Sequence, residues 1–226
     1  MTDTPFFDPW PEPEADDGYD NPDLDLPWMP PVNVAGIVVP VAAEIHRGED
    51  VVVRVTHLVA YQRGLEVHVD TWLRPGTRRP VAPTDDMWRA QEPRIGIRLA
   101  DGTRLGHRAP HGPPAPDGDP STASLTQLHG HGSGLHLSSA WWVSPFPEGE
   151  SLQVLIEWEH QGVPESSARV ELGTLRGAAA REDVLWDPPP APQEGFFGWA
   201  GYAPTSGEAY GSSLTITFDG DENEDS

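Results

Sequence analysis

The sequence predicts an all-β fold: a two-layer, immunoglobulin-like antiparallel β-sandwich with one possible short helix, flanked by disordered acidic tails. Three observations predict it. Apolar residues alternate with polar ones through most of the middle of the chain. Turn residues fall between the alternating runs. Acidic charge collects at the two ends. These divide the 226 residues into a Pro-rich acidic tail over 1–31, a sandwich domain over 32–186, and a Pro/Gly-rich acidic tail over 187–226.

The alternation is the primary signal, because side chains in a strand point to opposite faces with a period of two. Val51, Val53 and Val55, then Val59 and Tyr61, fall on odd positions. Leu65, Val67, Val69, Thr71 and Leu73 do the same against Glu66, His68, Asp70, Trp72 and Arg74. Ile95, Ile97 and Leu99 repeat the pattern, as do Leu135, Leu137, Ser139, Trp141 and Val143, and Leu152, Val154, Ile156 and Trp158. β-Branched and aromatic residues dominate these runs, as strands favour. With few helical patterns between them, they point to antiparallel sheets.

Turns set the pairing. Arg47-Gly48-Glu49-Asp50 joins Val34–Ile45 to Val51–Tyr61, and Gln62-Arg63-Gly64 leads on to Leu65. Asp101-Gly102 is a hairpin signal between 94–100 and 103–108. Pro40 inside the first strand marks it as an edge or a bulge. Seven strands suit a sandwich, with a small closed barrel as the alternative. Two long connections, 75–93 and 109–133, lack periodicity, and the second is expected to hold no secondary structure. Leu172 to Glu182 could form a short helix, weakened by Gly173 and Gly177.

Charge separates the core from the flanks. The net charge is −22, all 14 basic residues are arginine, and cysteine is absent. Residues 1–26 hold nine acids and no base, and 182–226 hold ten acids and no base. Single-sign segments repel themselves and bury too little apolar surface to offset chain entropy, so the tails are expected to be disordered. The acidity argues against nucleic acid as a partner. The lack of cysteine excludes disulfides and thiolate chemistry. The first residues carry no basic n-region and apolar h-region, and the longest largely apolar run, Val34 to Ala43, is far short of the roughly 20 residues of a membrane helix. The expected location is the cytoplasm, without membrane insertion.

Residue type and spacing single out several candidate sites. His129, His131 and His136 have a spacing that could ligate a transition metal, though a Gly-rich loop supports a ligand poorly. Glu66, His68 and Asp70 share one strand face about 7 Å apart, the geometry of a solvent-facing polar row. Glu157 and Glu159 sit two apart with no cleft for glycoside chemistry. His57 falls in phase with the core. There is no G-x-S-x-G, H-E-x-x-H or phosphate-binding glycine loop, so neither catalytic residues nor a cofactor are expected. Trp72 and Trp142 fall out of phase with the core and could stack on a sugar or a peptide. Phe6, Phe7, Trp10 and Trp28 in the first tail, and Phe196, Phe197 and Trp199 in the second, are aromatic islands in acidic sequence. Leu214, Ile216 and Phe218 alternate like a terminal strand that could add to a sheet. Together they suggest a non-enzymatic module that binds a protein partner of basic character, partly through its tails. A carbohydrate- or metal-binding sandwich is the alternative.

The run Ser139-Ala140-Trp141-Trp142-Val143-Ser144-Pro145-Phe146-Pro147-Glu148-Gly149, then Glu157-Trp158-Glu159-His160-Gln161-Gly162-Val163-Pro164-Glu165-Ser166, resembles a group of uncharacterised actinobacterial proteins. So does an Ala-rich stretch ending in Leu185-Trp186. The resemblance covers residues 33–186 and implies a bacterial β-rich domain, with no activity attached.

Overall fold

In a computed structural model, the described residues are 25–26, 28–79, 93–106 and 121–188. Strands dominate. β1 is Val34–Ala35, β2 Ile37–Arg47, β3 Val51–Ala60 and β4 Leu65–Leu73. β5 is Arg94–Arg98, β6 Arg104–Gly106, β7 Ser124–Gly132 and β8 His136–Ser144. β9 is Ser151–Trp158, β10 Val163–Glu171 and β11 Asp183–Val184. A 3-10 turn covers Glu159–Gln161, and one helix, α1, covers Gly173–Ala179.

The strands form three antiparallel sheets, ordered β2-β3-β4-β8-β7, β10-β9-β5-β6 and β1-β11. The two larger sheets share one apolar core. Val53, Val55, Leu58, Val67, Val69 and Trp141 come from the first, and Ile97, Leu152, Val154, Ile156 and Trp158 from the second. α1 plugs the same core with Leu175, Ala178 and Ala179, following buried Leu172. That packing outweighs the poor helix propensity of Gly173 and Gly177.

Three expectations are corrected. β2, β3 and β4 are neighbours in one sheet. In an immunoglobulin sandwich the second and third strands lie in opposite sheets, so the strand order is not that of an immunoglobulin domain. The connection expected to be structureless contains β7, nine residues paired along β8. The third correction is one of phase. A register shift between Val55 and His57 in β3 changes which parity faces inward. Val51, Val53 and Val55 point into the core, and so do Leu58 and Ala60. His57, Val59 and Tyr61 turn to the opposite face.

The expected edge is present: β2 ends the five-stranded sheet, and its register shifts just after Pro40. A proline costs least on an edge strand, which can turn the side lacking an N–H away from its one neighbour.

The phase change sets stabilities. Leu58 is fully buried and Val38, on the outside of β2, is 61% exposed. Leu58→Ala is expected to cost about 2–5 kcal/mol, and Val38→Ala less than about 0.5 kcal/mol. Denaturant unfolding of both variants measures this; a Leu58→Ala cost as small as that of Val38→Ala would show that Leu58 does not face the core.

Candidate functional site

The outer face of the five-stranded sheet gathers the chemistry-bearing side chains. Its position follows from alternation: with the apolar set turned to the core, every second residue of β4 and β8 must face away. The register then places them in rows. His57 lies opposite His68, which lies opposite Ala140, which lies opposite His129. In the next row Arg54, Asp70, Ser138 and His131 are opposite one another. Trp72 faces His136 in the third. Ala140 and Ser138 are small, so the rings on β4 and β7 meet across β8.

The result is a track of five histidines with two carboxylates. His57 and His68 stack with ring centroids 3.9 Å apart. His68 and His129 lie 6.1 Å apart, and His129 and His131 5.8 Å apart. Glu66 organises one end: Tyr61 donates its hydroxyl hydrogen to Oε1 at 3.0 Å, and His68 Nε2 pairs with Oε2 at 3.0 Å. Asp70 organises the other: Thr56 donates to its Oδ2 at 2.8 Å, and His136 Nε2 meets its Oδ1 at 3.0 Å. Since the Thr56 hydroxyl hydrogen goes to Asp70, its contact with His57 Nδ1 at 3.2 Å requires that nitrogen to donate. His136 in turn stacks on Trp72, with centroids 5.3 Å apart and planes 16° from parallel.

Burial and charge shape the titration. Burial holds the His57 imidazole below its ordinary value, and stacked His68 adds to this. Burial alone would raise Asp70, but hydrogen bonds from Ser138, Thr56 and His136 prevail and hold it below the usual carboxylate range. Burial, then the Glu66 charge, push Tyr61 up.

The sequence-stated site residues fare differently. Trp72 faces outward, 38% exposed, beside an open depression of about 280 Å³ lined by Arg47, Val52 and Arg54. Trp142 is corrected: it is fully buried and offers no stacking face. It lies on the outer side of the sheet, yet Tyr61 covers it edge-on at 5.3 Å, and Val59, Val34 and Leu128 pack around the pair. Gly64 completes the enclosure, since a Cβ there would come within 2.4 Å of the Trp142 ring. His129 and His131 sit on β7 rather than in a loop. His136 turns away from them to Asp70, and among the described residues no three His, Asp or Glu side chains converge on one ion. His57, expected in the core, is in the track. Glu157 pairs with Arg94, and Glu159 opens the 3-10 turn. Trp28 is half-buried in the segment leading to β1. Phe6, Phe7, Trp10, Phe196, Phe197, Trp199, Leu214, Ile216 and Phe218 lie outside the described residues.

Residues the sequence did not single out join the two flanks. Arg63, in the β3–β4 turn, grips Asp25 with Nη1 at 2.7 and 2.8 Å and donates Nη2 to the Leu26 and Met29 carbonyls at 3.0 and 2.9 Å. Val34 pairs with Val184 and Ala35 with Asp183. Asn33 accepts from Leu185 N at 2.9 Å and donates Nδ2 to Trp186 O at 3.0 Å. Gln62 N donates to Glu182 at 2.8 Å in the same turn.

Among the described residues no helix is long and apolar enough to cross a membrane. Comparison with family models, with curated proteins and with solved structures returns no match.

Two pH effects follow. Asp70 is depressed in the fold, so the stability it confers is present above its unfolded value near 3.9 and is lost as pH falls through the folded one. Asp70→Asn is expected to cost about 1–3 kcal/mol at pH 7, with the gap to the native chain closing below about pH 4. His57 is also depressed, so the unfolded chain takes up its proton first and the fold weakens as pH drops below about 6.5. Chemical denaturation of His57→Gln between pH 7.5 and 5 should show a flatter decline than the native chain; equal slopes would remove His57 as the cause.

Proposed function

We propose that this protein is a non-enzymatic, cytoplasmic interaction module that presents its two acidic, aromatic-bearing flanks together to a basic protein partner. The observation that carries this reading is the tie between the flanks. β1 pairs with β11, and Asn33 bonds to both Leu185 and Trp186. The chain next to the two acid-rich stretches, which hold nine and ten acids and no base, is therefore tied together at residues 33–35 and 183–186. Two anionic segments anchored together raise each other's effective concentration at one partner surface, so they bind as a pair more tightly than either alone. Their charge steers encounter, and the islands Phe6-Phe7, Trp10, Phe196-Phe197 and Trp199 supply the apolar anchors that charge alone lacks. The terminal run with Leu214, Ile216 and Phe218 supplies a strand that can add to a partner's sheet. A place among actinobacterial β-rich proteins belongs to the same proposal and rests on the residues quoted above for it.

A second reading has its own observation. The exposed Trp72 ring, with Arg47 and Arg54 beside it, suits a sugar ring that stacks on the indole and hydrogen-bonds the guanidinium groups. Titration with oligosaccharides, followed by tryptophan fluorescence in native and Trp72→Ala chains, tests it.

The leading reading is tested with partners captured on the full chain. Removing residues 1–24 or 189–226 should each weaken capture about tenfold or more, and removing both should abolish it. Raising salt to about 0.5 M should mimic the losses, since exposed charges are then screened. Equal capture by the doubly truncated chain would refute the role of the flanks.

A further inference from the structure

The five track histidines have a neighbour of opposite character. The N-terminal segment reaches the domain beside the Glu66 end of the track. Arg63 grips Asp25, Leu26 and Met29 there. Val34 packs into the Tyr61–Trp142 cluster, and the backbone at Gly36 lies so close to Tyr61 that a Cβ would come within 2.5 Å of its ring. Tyr61 is the residue that donates to Glu66. Upstream lie 24 residues with eight carboxylates and no base, together with Phe6, Phe7, Trp10 and Tyr19.

The charge on the outer face depends on its histidines. β2 contributes Glu44 and Arg47, which pair with each other, and β3 contributes Arg54, which reaches the same Glu44. β3 adds His57 and Tyr61, and β4 adds Glu66, His68 and Asp70. β8 adds His136, and β7 His129 and His131. With neutral imidazoles, two arginines and three carboxylates leave the face slightly negative. With all five histidines protonated it becomes strongly positive. Protonation also sets His57 against His68 at 3.9 Å, a like-charge contact that an external anion relieves.

We propose that this face is a docking surface for the chain's own N-terminal acidic segment, residues 1–24, engaged when the track histidines are protonated. Reach is ample: 24 residues can span at most about 80 Å, whereas the track from Glu66 to Trp72 runs along about 20 Å of β4. The acids meet imidazolium groups, and the aromatic islands meet the exposed ring of Trp72 at the far end. Linkage requires the converse: a docked acidic segment favours the charged imidazoles and raises the pH at which they protonate. The inference concerns the chain's hold on itself and stands apart from whether the flanks also engage a partner.

The test uses the full chain. Its lack of cysteine allows a single nitroxide at Ala15→Cys, read by paramagnetic broadening of histidine NMR signals. At pH 5 the label should broaden His129 and His131, and at pH 7.5 it should not. Replacing the eight carboxylates of residues 1–24 by their amides should remove the broadening. It should also lower the titration midpoints of the track histidines by about 0.3–1 pH unit. His46, which bonds Ser166, and His160, which bonds Arg79, serve as controls that should not move. Three results would overturn the proposal. The first is unchanged midpoints with no broadening at pH 5. The second is the same broadening from a label at Ala200→Cys instead, which gives the face to the C-terminal flank. The third is broadening of an unlabelled, isotope-enriched chain mixed with a labelled one, which gives it to a second copy.

Discussion

Strand β4 is hydrogen-bonded on both sides, to β3 and to β8, and its two faces meet different surroundings. Leu65, Val67, Val69 and Leu73 are buried against the second sheet. Glu66, His68, Asp70 and Trp72 must then project together from the other side, whatever they do there. Backbone pairing fixes their spacing, and the core fixes which way they point. A slip of one residue would expose the apolar set and bury two carboxylates, a cost no local contact could offset. The same pairing that seats the core therefore sets the direction of Glu66, His68, Asp70 and Trp72.

Much of this was legible in the order of residues. Period-two runs located β3, β4, β5, β8 and β9, and Pro40 foretold an edge. The alternation also puts Glu66, His68 and Asp70 on the face opposite the core, where they lie. What escaped notice has a common physical cause. Residues 58–61 read Leu-Val-Ala-Tyr, apolar at every position, so the sequence carries no phase there, and the shift at His57 left no mark. Trp142 has the parity of an exposed residue. It is buried because Tyr61, just past the end of β3, and Leu128, at the register shift of β7, fold over it. The strand β7 was hidden by glycine: Gly130 and Gly132 sit in it and break the alternation, and it persists because β8 pairs along its whole length. The gathering of five histidines could not be read from spacing, since it depends on which strands are neighbours.

The domain guards its edges by different means. β2 carries Pro40 and two register shifts, and its His46 side chain reaches Ser166 on β10, the edge of the other sheet, at 3.3 Å. Irregular strands with few aligned donors make poor templates for foreign strands. β7 is exposed along His129 to Gly132, and its glycines lower its propensity to recruit another strand.

The ribbon of β1 and β11 also bears on mechanics. It consists of two residue pairs, reinforced by the Asn33 contacts. Tension applied between the two flanks would load it together with the Arg63 contacts to Asp25, Leu26 and Met29, before the long sheets of the sandwich. Its few hydrogen bonds would open one after another, as a zipper does, and so yield at low force. A short opening would then lengthen the chain while the longer strands kept their shape, making the ribbon a fuse between whatever holds the flanks and the body they belong to.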